Sequence, residues 1–244
     1  MKRFLIVGAG FSGAVLARQL GTLMDCKVLV IDEREHIAGN CHTDRDQQTG
    51  VMLHRYGPHI FHTDREDVWD YVRQFGEFGP YINRVKAHTS RGVFSLPINL
   101  HTINQFFGKA LAPREAALLL DQLGDKTIVE PRNFEEQALR FIGPDLYKTF
   151  FYGYTRKQWG CEPTELPASI LQRLPIRFNY DDNYYKSRFQ GIPRDGYTKV
   201  IQRILDHPAV EVKLGVSFER GMDQEMDHTF YSGELDRYFN YCNG

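Results

Sequence analysis

The sequence predicts an α/β fold, with strand–helix alternation at both ends of the chain and a helical insertion with a small antiparallel sheet between them. Three observations carry that expectation. Phe4-Leu5-Ile6-Val7 is a short apolar run, followed at once by Gly8-Ala9-Gly10-Phe11-Ser12-Gly13 and then by an apolar segment of helical spacing. A second apolar run, Val28-Leu29-Val30-Ile31, ends in the acidic Asp32. From about residue 101 to 174 the pattern is helical with no strand signal, and alternation resumes near residue 196.

Strand, GxGxxG and helix, with a carboxylate about twenty residues further on, is the order that a dinucleotide pyrophosphate requires. Gly8 allows the tight turn, Gly10 lets the backbone approach the phosphates, and Gly13 lets helix pack on strand. The first N–H groups of the helix face the anion, and Asp32 can accept from a ribose hydroxyl. A buried strand, turn and core helix without ligand would not explain three glycines at this spacing, since each weakens the element it interrupts. Met1-Lys2-Arg3 before apolar residues imitates a secretory signal, but the glycines break the hydrophobic run and no small-residue cleavage site follows. These features describe a Rossmann-like nucleotide domain.

Thirty basic and thirty-one acidic residues give a net charge of -1, so no global basic field exists to hold nucleic acid or an anionic membrane. No apolar run reaches the length of a membrane span, so membrane insertion is not expected. Cys26, Cys41, Cys161 and Cys242 have neither CxxC spacing nor disulfide-scaffold density, and the expected compartment is a reducing cytoplasm.

After Asp32 come Glu33, Arg34, Glu35, His36, Ile37, Ala38, Gly39 and Asn40. An acidic residue, an arginine and a glycine pair at this place lean toward FAD rather than a nicotinamide nucleotide, with Ala38 standing where the first glycine of the pair would be. Met52–Tyr56 reads as a strand broken by Gly57-Pro58. His59 and His62 follow three apart; they lack a third metal ligand nearby, and taken alone they read as ordinary core or surface histidines. Asp64 is expected to cap an amphipathic helix with Val68, Trp69, Val72 and Phe75 on its apolar face. Val85–His88 and Val93–Leu96 form a predicted ribbon turning at Ser90-Arg91-Gly92. Helices are predicted from Pro113 to Leu120, from the cap Asn133 to Phe141, from Pro144 to Phe151 and from Pro167 to Leu174. A turn is expected at Gln190-Gly191-Ile192-Pro193 and a helix from Gly196 to Leu205. Strands are expected at 210–214, 216–218 and 228–231. The domain reading is therefore residues 1–80 for the first part of the FAD-binding domain, 81–100 with 175–190 for the antiparallel sheet region, 101–174 for the helical substrate domain, and 191–244 for an incomplete return to the FAD-binding domain.

Residues 147–189 crowd Tyr147, Phe150, Phe151, Tyr152, Tyr154, Trp159, Phe178, Tyr180, Tyr184, Tyr185 and Phe189 among Arg156, Lys157, Arg173, Arg177, Lys186 and Arg188. That exceeds what a core needs and suggests a surface that stacks on a ring and neutralises phosphate. For each aromatic taken singly, core packing and ligand contact stay open.

Over essentially its whole length the chain resembles the UDP-galactopyranose mutase family. The motifs that carry the resemblance are Arg55-Tyr56-Gly57-Pro58-His59-Ile60-Phe61-His62-Thr63, Gly153-Tyr154-Thr155-Arg156-Lys157-Gln158-Trp159-Gly160, Glu165-Leu166-Pro167-Ala168, and Arg188–Pro193 leading to Gly196-Tyr197-Thr198-Lys199. The resemblance implies a Rossmann-like FAD domain, a helical domain and an antiparallel sheet. It also implies an isomerase that uses FAD kept reduced by NADPH or another donor. Reduced flavin attacks the anomeric carbon of UDP-galactose through N5 and displaces UDP, the sugar recloses through another hydroxyl, and UDP returns.

Carried over residue by residue, Gly8, Gly10, Phe11, Ser12, Gly13, Asp32, Glu33, Arg34, Gly39 and Asn40 would hold FAD, and His59 would lie against the flavin as a cofactor-binding and catalytic residue. Asn83, Phe150, Tyr154, Thr155, Trp159 and Tyr184 would line the uridine, sugar and diphosphate site. Arg173 would close over the diphosphate as a catalytic residue. No metal is implied, and the family's habit implies a homodimer. The family continues past residue 244 with a second diphosphate-binding arginine, two phosphate-contacting tyrosines and the last stretch over the flavin, so weak or absent turnover and impaired FAD retention are expected of this length. An amine-oxidase-type flavin oxidoreductase and a non-catalytic UDP-binding fragment are the competing readings.

Overall fold

The computed structural model describes residues 1–171 and 176–242. The chain forms two compact units, Met1–Tyr81 with Ser187–Gly244, and Ile82–Lys186.

In chain order, the first unit begins with β1 (Lys2–Val7), α1 (Phe11–Leu23) and β2 (Cys26–Asp32). After a 3-10 turn at Gly39–Cys41 come β3 (Thr43–Arg45), β4 (Met52–His54), β5 (Phe61–Thr63), α2 (Glu66–Arg73) and β6 (Phe78–Pro80). The second unit holds the ribbon β7 (Val85–Thr89) and β8 (Gly92–Leu96). Its helices are α3 (Leu100–Phe107), α4 (Pro113–Leu123), α5 (Phe134–Leu146) and α6 (Gly153–Trp159). The chain then returns to the first unit with β9 (Phe189–Pro193), α7 (Tyr197–Leu205), β10 (Val210–Leu214), β11 (His228–Tyr231) and α8 (Leu235–Tyr238).

The first unit is a parallel sheet in the order β10-β2-β1-β11. Its central strands carry near-continuous apolar runs, as expected for a sheet buried on both faces. Phe4, Ile6, Val28 and Val30 share one core with Ala14 and Ala17 of α1 and Val200, Ile201 and Ile204 of α7. The small residues on α1 allow close helix approach, and this packing holds the N-terminus of α1 at the end of β1. No helix of the described residues is long and apolar enough to cross a membrane.

Several local expectations need correction. Gln190-Gly191-Ile192-Pro193 is not a turn but part of β9, the central strand of a sheet in the order β5-β9-β6. Its glycine serves a close approach, since a Cβ at Gly191 would lie 2.7 Å from the Gly79 carbonyl oxygen and 3.1 Å from the Trp69 ring. Phe189 stacks on Trp69 at 5.6 Å, so aromatic packing overrides the turn signal of Gly and Pro. Residues 216–218 are not a strand. Asp64 does not cap α2, whose N-cap is Arg65; the Asp64 carboxylate instead accepts the Arg188 N–H at 2.8 Å.

In the second unit, Asn133 caps α5, its side chain accepting the Glu136 N–H. Non-helical Gly143 (φ 72°, ψ 173°) and Pro144 then kink the chain, and Tyr147–Tyr152 winds as a π-helix rather than an α-helix. The segment after Pro167 is a 3-10 turn over Ala168–Leu171, and the rest of the helix expected there lies outside the described residues. Residues 176–188 carry no strand. The core of this unit joins Phe94, Ile98, Leu100, Ile103 and Phe106 to Phe134, Ile142, Leu146 and Phe150.

Candidate functional site

In the first unit, β1 ends at Val7 and the chain reverses through Gly8, whose φ is +110°. The Gly8 N–H donates to the Ile31 carbonyl at 2.7 Å, locking the turn to β2. A side chain at Gly8 would run into the Ser232 hydroxyl. One at Gly13 would collide with the Gly8 carbonyl oxygen and sit 3.2 Å from Ile6 Cγ2. Both glycines are therefore demanded by the protein's own packing. Gly10 differs: its φ is -79°, which any residue adopts, and an added Cβ would come no closer than 4.0 Å to Gly39 Cα. Nothing among the described residues requires a glycine there, so the open side faces whatever occupies the cradle.

Gly8, Gly10, Phe11, Ser12, Gly13, Asp32, Glu33, Arg34, Gly39 and Asn40 all line one cavity of about 340 Å³. Gly10 caps α1 without a side-chain bond, so the first N–H groups of that helix remain unpaired by any cap and the positive helix end borders the cavity. Asp32 is buried and already has two backbone partners, the Ala9 N–H at 2.8 Å and the Arg34 N–H at 2.9 Å. It staples the glycine turn to the next loop, and each oxygen keeps a lone pair for a ligand hydroxyl. Arg34 Nη2 donates to Asn40 Oδ1 at 3.0 Å, and its guanidinium lies 4.6 Å over the Tyr56 ring.

Ala38 adopts the left-handed conformation with φ 77° and donates its N–H to the Ala9 carbonyl at 2.9 Å. The missing glycine of the pair is thus replaced by a residue held in glycine's conformation. Val216, Phe218, Tyr231, Ser232, Gly233 and Arg237 also line the cavity, and Arg237 pairs with Glu33 at 2.7 Å. These are far from the motif in sequence: the pairing of β11 beside β1 brings Tyr231 and Ser232 there, and the pairing of β10 beside β2, continued by the Val216 N–H to the Asp32 carbonyl at 2.9 Å, brings Val216 and Phe218.

His59 is not among the residues lining that cavity. Its Nδ1 contacts the Gly57 carbonyl at 2.9 Å, and since a carbonyl only accepts, Nδ1 carries the proton and Nε2 is the basic nitrogen. His62 Nδ1 contacts Ser187 Oγ at 3.1 Å. Next to the cradle, the His36 and His42 rings lie with centroids 4.0 Å apart and planes tilted by 31°, and His36 Nε2 accepts from the Tyr56 hydroxyl at 2.8 Å. Burial first, and then the neighbouring His36, push the His42 pKa below its usual value. Burial and the charge of His59 do the same to His54.

In the second unit, the expected substrate residues separate by burial. Phe150 is a core residue, edge-on to Phe94 at 5.3 Å, and Thr155 is also buried. Tyr154 and Trp159 are 69% and 53% exposed on α6, and Tyr184 is exposed. Asn83 and Tyr184 are joined directly, the Tyr184 N–H donating to the Asn83 carbonyl at 2.8 Å. Arg173 lies outside the described residues. The π-helix carrying Phe150 runs straight into α6, and such wide turns are frequent near functional sites. Tyr147 in that turn bonds Glu135 at 2.6 Å; burial, then the carboxylate, keep its hydroxyl protonated well above its usual range.

Comparisons with known proteins find matches in both units. A family model described as UDP-galactopyranose mutase matches residues 149–244, and one described as an NAD(P)-binding Rossmann-like domain matches residues 6–75. The chain is 58% identical to a probable UDP-galactopyranose mutase of Klebsiella pneumoniae, covering 100% of this chain and 63% of that protein. It is 54% identical to a dTDP-fucopyranose mutase of Escherichia coli, covering 99% and 65%. The chain therefore spans just under two thirds of the length of these curated relatives. A crystal structure of reduced UDP-galactopyranose mutase shares the fold, with a TM-score of 0.66 at 20% identity over 90% of this chain and 50% of that one.

Proposed function

We propose that this chain carries the flavin-binding and nucleotide-sugar-binding parts of a UDP-galactopyranose mutase, an isomerase interconverting the pyranose and furanose forms of UDP-galactose. The observation that carries the reading is 58% identity over the whole chain to a protein named as such a mutase. The Rossmann-like cradle fits FAD: Gly10 is bare toward the cavity, α1 offers unpaired N–H donors to a diphosphate, and Asp32 and Glu33 stand where a ribose would hydrogen-bond. Reduced flavin, when bound, supplies a nucleophilic nitrogen to the anomeric carbon, with NADPH or another donor as reductant.

The chain's own groups do the positioning. Arg34, held by Asn40 and by the Tyr56 face, sets the wall of the cavity beside the pyrophosphate. His59, with its proton on Nδ1, presents an accepting Nε2 to the flavin edge. In the second unit, exposed Tyr154 and Trp159 offer faces on which uracil stacks, and Asn83 and Tyr184 contact the sugar diphosphate. Arg173 closes on the leaving diphosphate as a bidentate partner. Phe150 and Thr155 support these groups from the core. The protein works as a homodimer in the cytoplasm.

A second substrate, dTDP-fucopyranose, is favoured by the 54% identity to a mutase of that name. Both share a pyrimidine nucleoside diphosphate on a pyranose, so the same aromatic faces serve either. The test is an absorbance spectrum of the purified protein before and after dithionite, followed by product analysis with each nucleotide sugar. Partial flavin loading that bleaches with dithionite, a fluorescence response to UDP, and slow or absent conversion of either sugar are expected of this length. Absence of flavin together with no fluorescence response to millimolar UDP sinks the reading.

A further inference from the structure

Arg177 has no part in the chemistry above, yet it is the one buried basic side chain among the described residues, 7% exposed. Its Nη1 donates to the Asp181 carboxylate at 3.0 Å, to the Asp181 carbonyl at 3.2 Å and to the Asn183 carbonyl, and its Nη2 reaches the Tyr184 carbonyl at 3.4 Å. Its backbone N–H is fastened to the Ile98 carbonyl at 2.9 Å. One guanidinium thus gathers oxygens from three of the four residues 181–184, and the fourth, Asp182, is gripped from outside by Arg84 at 3.0 Å and Lys86 at 3.2 Å. Burial pushes the Asp182 carboxyl up, but Lys86 and Arg84 outweigh it and hold the group below its usual range. The segment is therefore held on one side by Arg177 and on the other by residues 83–86, with the Tyr184 N–H to Asn83 carbonyl bond at the seam.

Stability alone is a poor account of this arrangement. A buried charge is desolvated at a cost that an apolar side chain of similar volume avoids, and Arg177 Nε is buried without an acceptor among the described residues. A planar fork, however, can pin the carbonyl groups of residues 181, 183 and 184 in a fixed relation, which a lysine ammonium cannot.

Resting on the function proposed above, we infer that Arg177 is a positioning residue: it holds the 181–184 loop so that Tyr184 and Asn83 form one rigid edge for the nucleoside diphosphate. The test uses the full chain with Arg177→Lys, measured against wild type for UDP affinity by tryptophan fluorescence, FAD affinity, and amide exchange at Tyr184. Expected are faster exchange at Tyr184, roughly tenfold weaker UDP binding and unchanged FAD binding. In a Tyr184→Ala background, Arg177→Lys should weaken UDP binding by less than about twofold, because the two act through one edge. Should Arg177→Lys fold poorly, Asp181→Ala loosens the same loop from its more exposed side and should give the same split between UDP and FAD. UDP binding unchanged in these variants, or equal losses for UDP and FAD, overturns the inference. A wild-type protein that holds FAD but shows no response to UDP instead overturns the nucleotide-sugar reading on which it stands.

Discussion

The glycine cradle of the first unit and the aromatic segment of the second are built on opposite principles. In the cradle, the proposed function lies in backbone: what matters is where a side chain is absent, at Gly8 because of its positive φ and Ser232, at Gly13 because of the Gly8 carbonyl and Ile6, and at Gly10 because its open side borders the cavity. In the aromatic segment, the proposed function lies in side chains, and residues of the same type a few positions apart differ in burial. Phe150 is edge-on in the core while Tyr154, four residues on, stands in solvent. The lesson is that a motif identifies a backbone site by itself, whereas a cluster of aromatics identifies a site only after burial has sorted it.

The sharpest way to break this contrast is to truncate both kinds of aromatic. Phe150→Ala should cost the second unit about 3–5 kcal/mol in urea unfolding, through lost burial and the cavity left behind. Tyr154→Ala should change stability by no more than about 0.5 kcal/mol, because the ring is already exposed, while weakening UDP binding roughly tenfold. If Tyr154→Ala unfolds the protein, the sorting by burial is wrong.

The same division runs through the glycines. Gly13→Ala should destabilise the first unit by about 3 kcal/mol, since its methyl group meets the Gly8 carbonyl and Ile6 with no room to move. Gly10→Ala should cost about 1 kcal/mol or less, as a poorer N-cap, yet lower dinucleotide affinity at least tenfold, or about 1.4 kcal/mol. Equal effects of the two substitutions on stability and binding would remove the distinction between a glycine kept for the fold and one kept for a ligand.

Ala38 offers a smaller test. Held at φ 77°, it pays the steric penalty of a left-handed alanine, and Ala38→Gly should raise the stability of the first unit by about 1 kcal/mol in thermal unfolding. A loss of stability would show that the turn is not set by backbone conformation.

The smallest effect concerns pH. His42 and His54 have folded pKa values below the usual 6.5, so the unfolded chain takes up protons first as pH falls. The stability they contribute is present above 6.5 and is lost as pH drops toward their folded values. The melting temperature should therefore decline on acidification through this window. His42→Asn, which keeps a donor near the Nδ1 position and removes the titration, should flatten the decline.

The strand, glycine turn and helix at the N-terminus, the second strand ending in Asp32, the ribbon at 85–96 and the helix at 197–205 were legible because each is a local pattern whose neighbours in space are neighbours in sequence. Strand β9 was not, because Gly191 and Pro193 look like turn formers until Trp69 and Gly79 close in on them from elsewhere in the chain. The far wall of the cavity was equally hidden, since Tyr231, Ser232 and Arg237 carry no phosphate-binding signature.

What the sequence by itself determined is the kind of ligand and the backbone that meets it: three glycines, a free helix end and a carboxylate specify a dinucleotide cradle by local geometry. Only the tertiary structure decided which glycine is left open to the ligand, which aromatics face solvent, and that a buried arginine gathers oxygens of residues 181, 183 and 184. Those outcomes depend on burial and on contacts between distant segments. Burial and long-range contact are properties of the packed chain, and no residue type or spacing encodes them alone.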